Sequence, residues 1–79
     1  MSARLHLTFP RHLSQEPVIY RVGKDFGLVT TIRKANIDDE AGWVILEVDG
    51  DEREVARAAA WLSDQGIHVD RIEEEGEAP

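Results

Sequence analysis

Residues 28–48 read LVTTIRKANIDDEAGWVILEV, and this stretch decides the fold. Its first part is rich in β-branched residues and its last part is a run of large apolar residues, as expected of two strands. The polar segment 38–42 between them is typical of a turn. The stretch therefore predicts a β-hairpin, with one strand over 28–38 and the next over 43–48.

The chain before this hairpin predicts one more strand and a helix. Residues 4–9 alternate between apolar and polar side chains, which indicates a half-buried strand. Apolar residues then recur at helical spacing over 18–26, which predicts a helix. Pro17 is suited to its first turn, and Gly27 can end it by adopting the left-handed conformation. Gly23 inside that helix costs about 1 kcal/mol relative to alanine, so we expect another backbone segment to pack closely against it.

The chain after the hairpin predicts a second helix and a last strand. The helix has a slim apolar stripe formed by Val55, Ala58, Ala59 and Leu62. Gly66 is placed to end this helix, and residues 67–72 alternate again. The complete order is therefore β-α-β-β-α-β.

This order predicts an α+β sandwich with a four-stranded antiparallel sheet, strand order 4-1-3-2, and both helices on one face. The face toward the helices should carry Leu5, Leu7, Phe9, Val44, Leu46 and Val48. The other face, called the open face below, should carry His6, Thr8, Trp43, Ile45, His68 and Asp70. We expect one domain over residues 1–73 and an acidic tail over 74–79. Function is expected on the open face or at an edge of the sheet.

The composition excludes several classes of function. The 79 residues include no cysteine, which removes disulfides, thiol catalysis and iron–sulfur ligation by cysteine. Nine basic and sixteen acidic residues give a net charge of −7, which repels phosphate backbones and disfavours nucleic-acid binding. Since no segment has the roughly 20 apolar residues of a membrane span and none resembles a signal peptide, we expect a cytoplasmic protein without membrane insertion.

The titratable residues do not form a recognisable catalytic or metal-binding motif. His6, His68 and Asp70 share the open face, but a metal site needs three or four converging ligands, so we expect no metal. Arg11 and Asn36 suggest an anion site of the kind found in phosphate-cleaving enzymes of this architecture, yet the glycine-rich cradle of such enzymes is missing. We therefore expect a protein that is not an enzyme and needs no cofactor.

Three aromatic or aliphatic positions remain open to two interpretations. Trp43 and Ile45 are large apolar residues on the open face, where they either lie under neighbouring long side chains or contact a second copy of the chain. We favour the second reading, a homodimer, because a small core gains most from added burial. Trp61 either lies at the edge of the core or contacts a ligand.

A known family has a similar set of short segments in the same spacing. The segments are Pro17, Phe26, residues 31–33 (TIR), 35–37 (ANI), 60–62 (AWL) and 66–69 (GIHV). On these residues the chain from Leu5 to Ile72 resembles the NIL domain, a ferredoxin-like module found at the C-terminus of methionine-importer ATPases and beside some bacterial ferredoxins.

The resemblance implies a bacterial regulatory domain that forms homodimers and binds methionine or a related amino acid at or near the dimer interface. The matching strand suggests a ligand site at Val29, Thr30, Thr31, Ile32 and Arg33. Where the family has its naming triplet asparagine-isoleucine-leucine, this chain has a threonine hydroxyl, an isoleucine and a fixed cation. The alternative is a protein-interaction module without a ligand, acting in trans on a transporter ATPase, a ferredoxin or a sulfur-metabolism enzyme.

Overall fold

The computed structural model describes residues 2–11, 13, 15–37 and 42–72. The elements within these ranges are β1 (Ser2–Phe9), α1 (Gln15–Phe26), β2 (Val29–Ile37), β3 (Gly42–Asp49), α2 (Glu52–Asp64) and β4 (His68–Ile72). The β-α-β-β-α-β order is therefore confirmed, with strand boundaries within two residues of those expected. The predicted acidic tail over 74–79 and most of the predicted turn, residues 38–41, lie outside the described residues.

The four strands form one antiparallel sheet in the order β2-β3-β1-β4, which is the predicted order 4-1-3-2. The six side chains predicted to face the helices, from β1 and β3, are each at most 2 % exposed. They pack against the helical layer, to which Ile19, Val22, Val55, Ala58 and Leu62 contribute buried side chains. The core thus lies between the helices and one face of the sheet.

Both helices end in the same hydrogen-bonding pattern. Gly27 has φ +64° and Gly66 has φ +93°, the left-handed conformation that glycine adopts without strain. Leu28 N–H donates to the Gly23 carbonyl at 3.2 Å after α1, and Ile67 N–H donates to the Leu62 carbonyl at 3.1 Å after α2. These six-to-one bonds define Schellman caps, and they turn the chain directly into the next strand.

The glycine inside α1 confirms the expectation of close packing. A methyl group added at Gly23 would lie 3.2 Å from the carbonyl oxygen of Leu28 and 3.8 Å from Thr30 Cγ2. A side chain at residue 23 would crowd the Leu28 carbonyl, so the glycine favours the close approach of α1 to the start of β2. Within the described ranges, neither helix has the length and apolar content that a membrane crossing requires.

Candidate functional site

Cross-strand pairing arranges the open face as three rows of side chains. Each row runs from β4 through β1 and β3 to β2, because directly paired residues point to the same side of the sheet. The first row is Ile72, Arg4, Glu47 and Thr31; the second is Asp70, His6, Ile45 and Lys34; the third is His68, Thr8, Trp43 and Asn36.

A β-bulge in β2 adds one more side chain to this face. Ile32 pairs with Leu46 and Lys34 pairs with the next residue of β3, Ile45, so Arg33 is the extra residue. In a regular strand Arg33 and Lys34 would point to opposite faces. The bulge breaks that alternation, and both side chains line the same cleft on the open face.

This cleft is a shallow cavity of about 240 Å³ at the border between the first and second rows. It is lined by Arg4, Arg33, Lys34, Ile45 and Ile72. Taking about 30 Å³ for each water-sized group, the volume has room for roughly eight non-hydrogen atoms. The cleft therefore has the size of a single small metabolite, and it combines cationic side chains with an apolar floor.

The carboxylate of Glu47 lies between two of the cleft's arginines. Its Oε1 is 3.6 Å from Arg33 Nη1 and 3.8 Å from Arg4 Nε, while Ser2 Oγ donates a hydrogen bond to Oε2 at 3.1 Å. The Arg33 side chain is 50 % exposed, so its guanidinium retains a large solvent-facing surface. Glu47 thus holds the arginines in place without covering Arg33.

The two histidines of the open face contact different side chains. His6 stacks on Trp43 with the ring centroids 5.4 Å apart, and His68 Nε2 lies 3.2 Å from Asp70 Oδ2 of its own strand. Within the part of the chain that the structure describes, no three histidine, aspartate or glutamate side chains cluster as metal ligands would. The histidines instead have local partners.

The predicted ligand segment 29–33 does not present one continuous surface. Val29 and Ile32 are exposed, 68 % and 52 %, on the edge strand β2. Thr30 pairs with buried Val48 and is half-buried, whereas Thr31 pairs with Glu47 on the open face. Of the five residues, the structure places Arg33 in the cleft.

The two residues predicted for a dimer interface have different surroundings. Trp43 and Ile45 are both half-buried on the open face, as expected from their alternation in β3. The Trp43 ring is covered on one side by His6, and Ile45 forms part of the cleft beside Lys34. Each therefore has a local role in this single chain.

Sequence reasoning missed three of the cleft residues. Arg4 and Ile72 could have been found, because each continues the alternation of a recognised strand onto the open face. Lys34 could not, because two consecutive cations in a strand are expected on opposite faces unless a bulge is known.

Trp61 belongs to the helical layer and is partly buried against the core. Its ring centroid lies 6.0 Å from that of Phe26, and the Arg21 guanidinium carbon lies 4.9 Å from the Trp61 centroid. The arginine covers the outer face of the indole, an arrangement stabilised by cation–π attraction. These contacts place Trp61 at the edge of the core, the first of its two interpretations.

The fold and the cleft define a small, open-faced α+β sandwich of the ferredoxin-like class, with a polar, metabolite-sized cleft on its uncovered sheet. The model of the NIL domain family matches residues 3–71. The chain therefore belongs to the NIL domain family, as the short segments of its sequence indicate.

A solved structure supports the fold assignment. The C-terminal domain of an ABC transporter ATP-binding protein from Enterococcus faecalis superimposes with a TM-score of 0.78 at 19 % identity, covering 89 % of this chain and 82 % of that one. At this identity the likeness concerns the fold. No curated protein sequence matches the chain.

Proposed function

We propose that this chain is a non-enzymatic regulatory domain that binds a small amino acid, methionine or a related one, beside β2 and near the contact between two copies of the chain. Membership of the NIL family supports a regulatory role, and the similar solved domain is part of a transporter ATP-binding protein. The observation that carries the ligand proposal is the bulge in β2, which directs Arg33 into a cleft of about 240 Å³.

Calorimetric titration and thermal melting with methionine and other amino acids test the ligand proposal. At ten times its Kd, a ligand that binds only the folded state adds about 1.4 kcal/mol of stability. For a domain of this size that raises Tm by roughly 6–11 °C. Arg33→Gln should reduce the shift, whereas Lys24→Gln on helix α1 should not. Absence of heat and of any melting shift at millimolar concentrations would exclude an amino-acid ligand.

The homodimer proposal rests on Trp43 and Ile45. These residues lie in neighbouring rows, two positions and about 7 Å apart along β3. A second copy covering both would also cover the cleft, so the ligand would bind near the dimer contact. Light scattering at high concentration should give twice the monomer mass, and Trp43→Glu should restore the monomer. Val29→Glu, at the exposed edge of β2, is the matched control; a dimer sensitive only to that change would place the contact at the edge.

A second candidate function is favoured by the exposed edge of β2. Val29 and Ile32 present apolar side chains on β2, which is an edge strand of the sheet formed by the described residues. Such an edge suits the addition of an extended segment from a partner protein, such as a transporter ATPase, a ferredoxin or a sulfur-metabolism enzyme. Affinity capture from the native cell with wild type and Ile32→Glu tests this. Capture of a partner by wild type alone, without any response to amino acids, would favour the interaction module.

A further inference from the structure

We infer that the cleft selects a small organic acid with net negative charge and a short apolar segment over a zwitterionic amino acid. This inference rests on the proposed function in one respect, that a small molecule binds beside β2. It differs from the proposed function in the ligand's charge, because the side chains of the cleft favour a net anion over the zwitterionic amino acid proposed above.

Cationic side chains dominate the lining of the cleft. Three cations, Arg4, Arg33 and Lys34, line the cleft in a protein whose net charge is −7. Glu47 is shared between two of them, with its Oε1 3.6 and 3.8 Å from the respective nitrogens. The side chains lining the cleft are therefore electropositive against an acidic background, and they favour an anion.

A zwitterion needs a hydrogen-bond acceptor for its ammonium close to the donor for its carboxylate. Glu47 is the carboxylate nearest to Arg33 in the described contacts, and it already interacts with both arginines and accepts from Ser2. An ammonium group in the cleft would lie close to Lys34 and the two arginines. Because all of these groups are positively charged, they would repel it.

Ile45 and Ile72 line the same cleft as the cations, so one side of a bound molecule would contact aliphatic carbon. An inorganic anion would leave these contacts unused. A carboxylate on a short aliphatic chain would interact with both kinds of side chain. The planar guanidinium of Arg33 would donate hydrogen bonds to the carboxylate, and the isoleucines would pack against the aliphatic chain.

A matched pair of probes tests the charge preference. Methionine and 4-(methylthio)butanoate differ in the ammonium group alone, and the second has eight non-hydrogen atoms, about the number that fits the cleft. Titration of the whole chain at low ionic strength should give at least tenfold tighter binding of 4-(methylthio)butanoate. Inorganic phosphate should bind at least tenfold more weakly than the organic acid.

Variants locate the binding site. Arg33→Gln should weaken binding of 4-(methylthio)butanoate at least tenfold. Arg33→Lys should weaken it less, because lysine keeps the positive charge but lacks the planar guanidinium that donates two parallel hydrogen bonds to a carboxylate. Lys24→Gln, which removes a cation from the helical face, should leave the affinity unchanged. If it weakens binding as much as Arg33→Gln does, the ligand is held by overall charge and the site assignment is wrong.

The outcomes separate the inference from the proposed function. Equal or tighter binding of methionine would overturn the charge preference while supporting an amino-acid ligand. Phosphate binding as tight as that of the organic acid would overturn the role of the apolar floor. If neither methionine nor the organic acid binds, both the ligand proposal and this inference fail.

Discussion

Glu47→Gln should strengthen the binding of an organic acid, although it removes ion pairs from the folded protein. Glu47 Oε1 lies 3.6 Å from Arg33 Nη1, and a ligand carboxylate that accepts a hydrogen bond from the same nitrogen lies roughly 3 Å further away. At a separation of about 7 Å, two negative charges repel by about 0.6 kcal/mol in water and about 2.4 kcal/mol at an effective dielectric constant of 20. Because the cleft is open to solvent, we expect 0.6 to about 1 kcal/mol, a three- to fivefold gain in affinity.

The assay is calorimetric titration of 4-(methylthio)butanoate into the wild type and two variants. Asp64→Asn makes the same charge change at the exposed end of α2, in the helical layer on the other side of the sheet, so it controls for overall charge. The gain for Glu47→Gln should shrink in 0.5 M salt, which screens the repulsion. Unchanged or weaker binding by Glu47→Gln, relative to Asp64→Asn, would contradict the repulsion assigned to Glu47.

Three further predictions concern stability and are checked by thermal melting with circular dichroism. Asp51→Ala removes the cap that accepts from Arg53 N–H at 2.7 Å and should cost about 1 kcal/mol, lowering Tm by roughly 4–8 °C; an unchanged Tm would mean that the cap contributes nothing. Leu46→Ala empties a fully buried position and should cost about 2–5 kcal/mol, whereas exposed Thr31→Ala should have little effect. Gly66→Ala places an alanine at a backbone φ of +93°, which is strained for any residue with a side chain, and should destabilise the fold by about 1 kcal/mol or more. A rise in Tm would contradict this expectation.

The fold was predictable because its signals are local and mutually consistent. Alternation in β1 and β3 predicts which side chains are buried, and the glycines after each helix predict where the chain turns. Gly27 and Gly66 have the positive φ values that this role requires. With strand order fixed by right-handed crossovers, few arrangements of these elements remained.

The cleft was less predictable because it depends on one irregularity. Arg33 was singled out from the resemblance to the family, but its grouping with Lys34 requires the bulge between Ile32 and Lys34. No residue in this segment signals a bulge, since it contains neither glycine nor proline. The register of an edge strand relative to its neighbour is a tertiary property, and pattern reasoning on a single strand cannot supply it.

The contrast between core and cleft also explains why family membership fixes the fold more closely than the ligand. A change at a fully buried residue such as Leu46 costs several kcal/mol, a large part of the roughly 4–12 kcal/mol that stabilise a domain of this size. Exposed Arg33 can be exchanged at a cost of about 0.5 kcal/mol or less. The sandwich is therefore constrained by stability, whereas the charge of the cleft is not. The cation at position 33, where the resemblance places the leucine of the family's naming triplet, is a change that we expect to alter ligand preference without altering the fold.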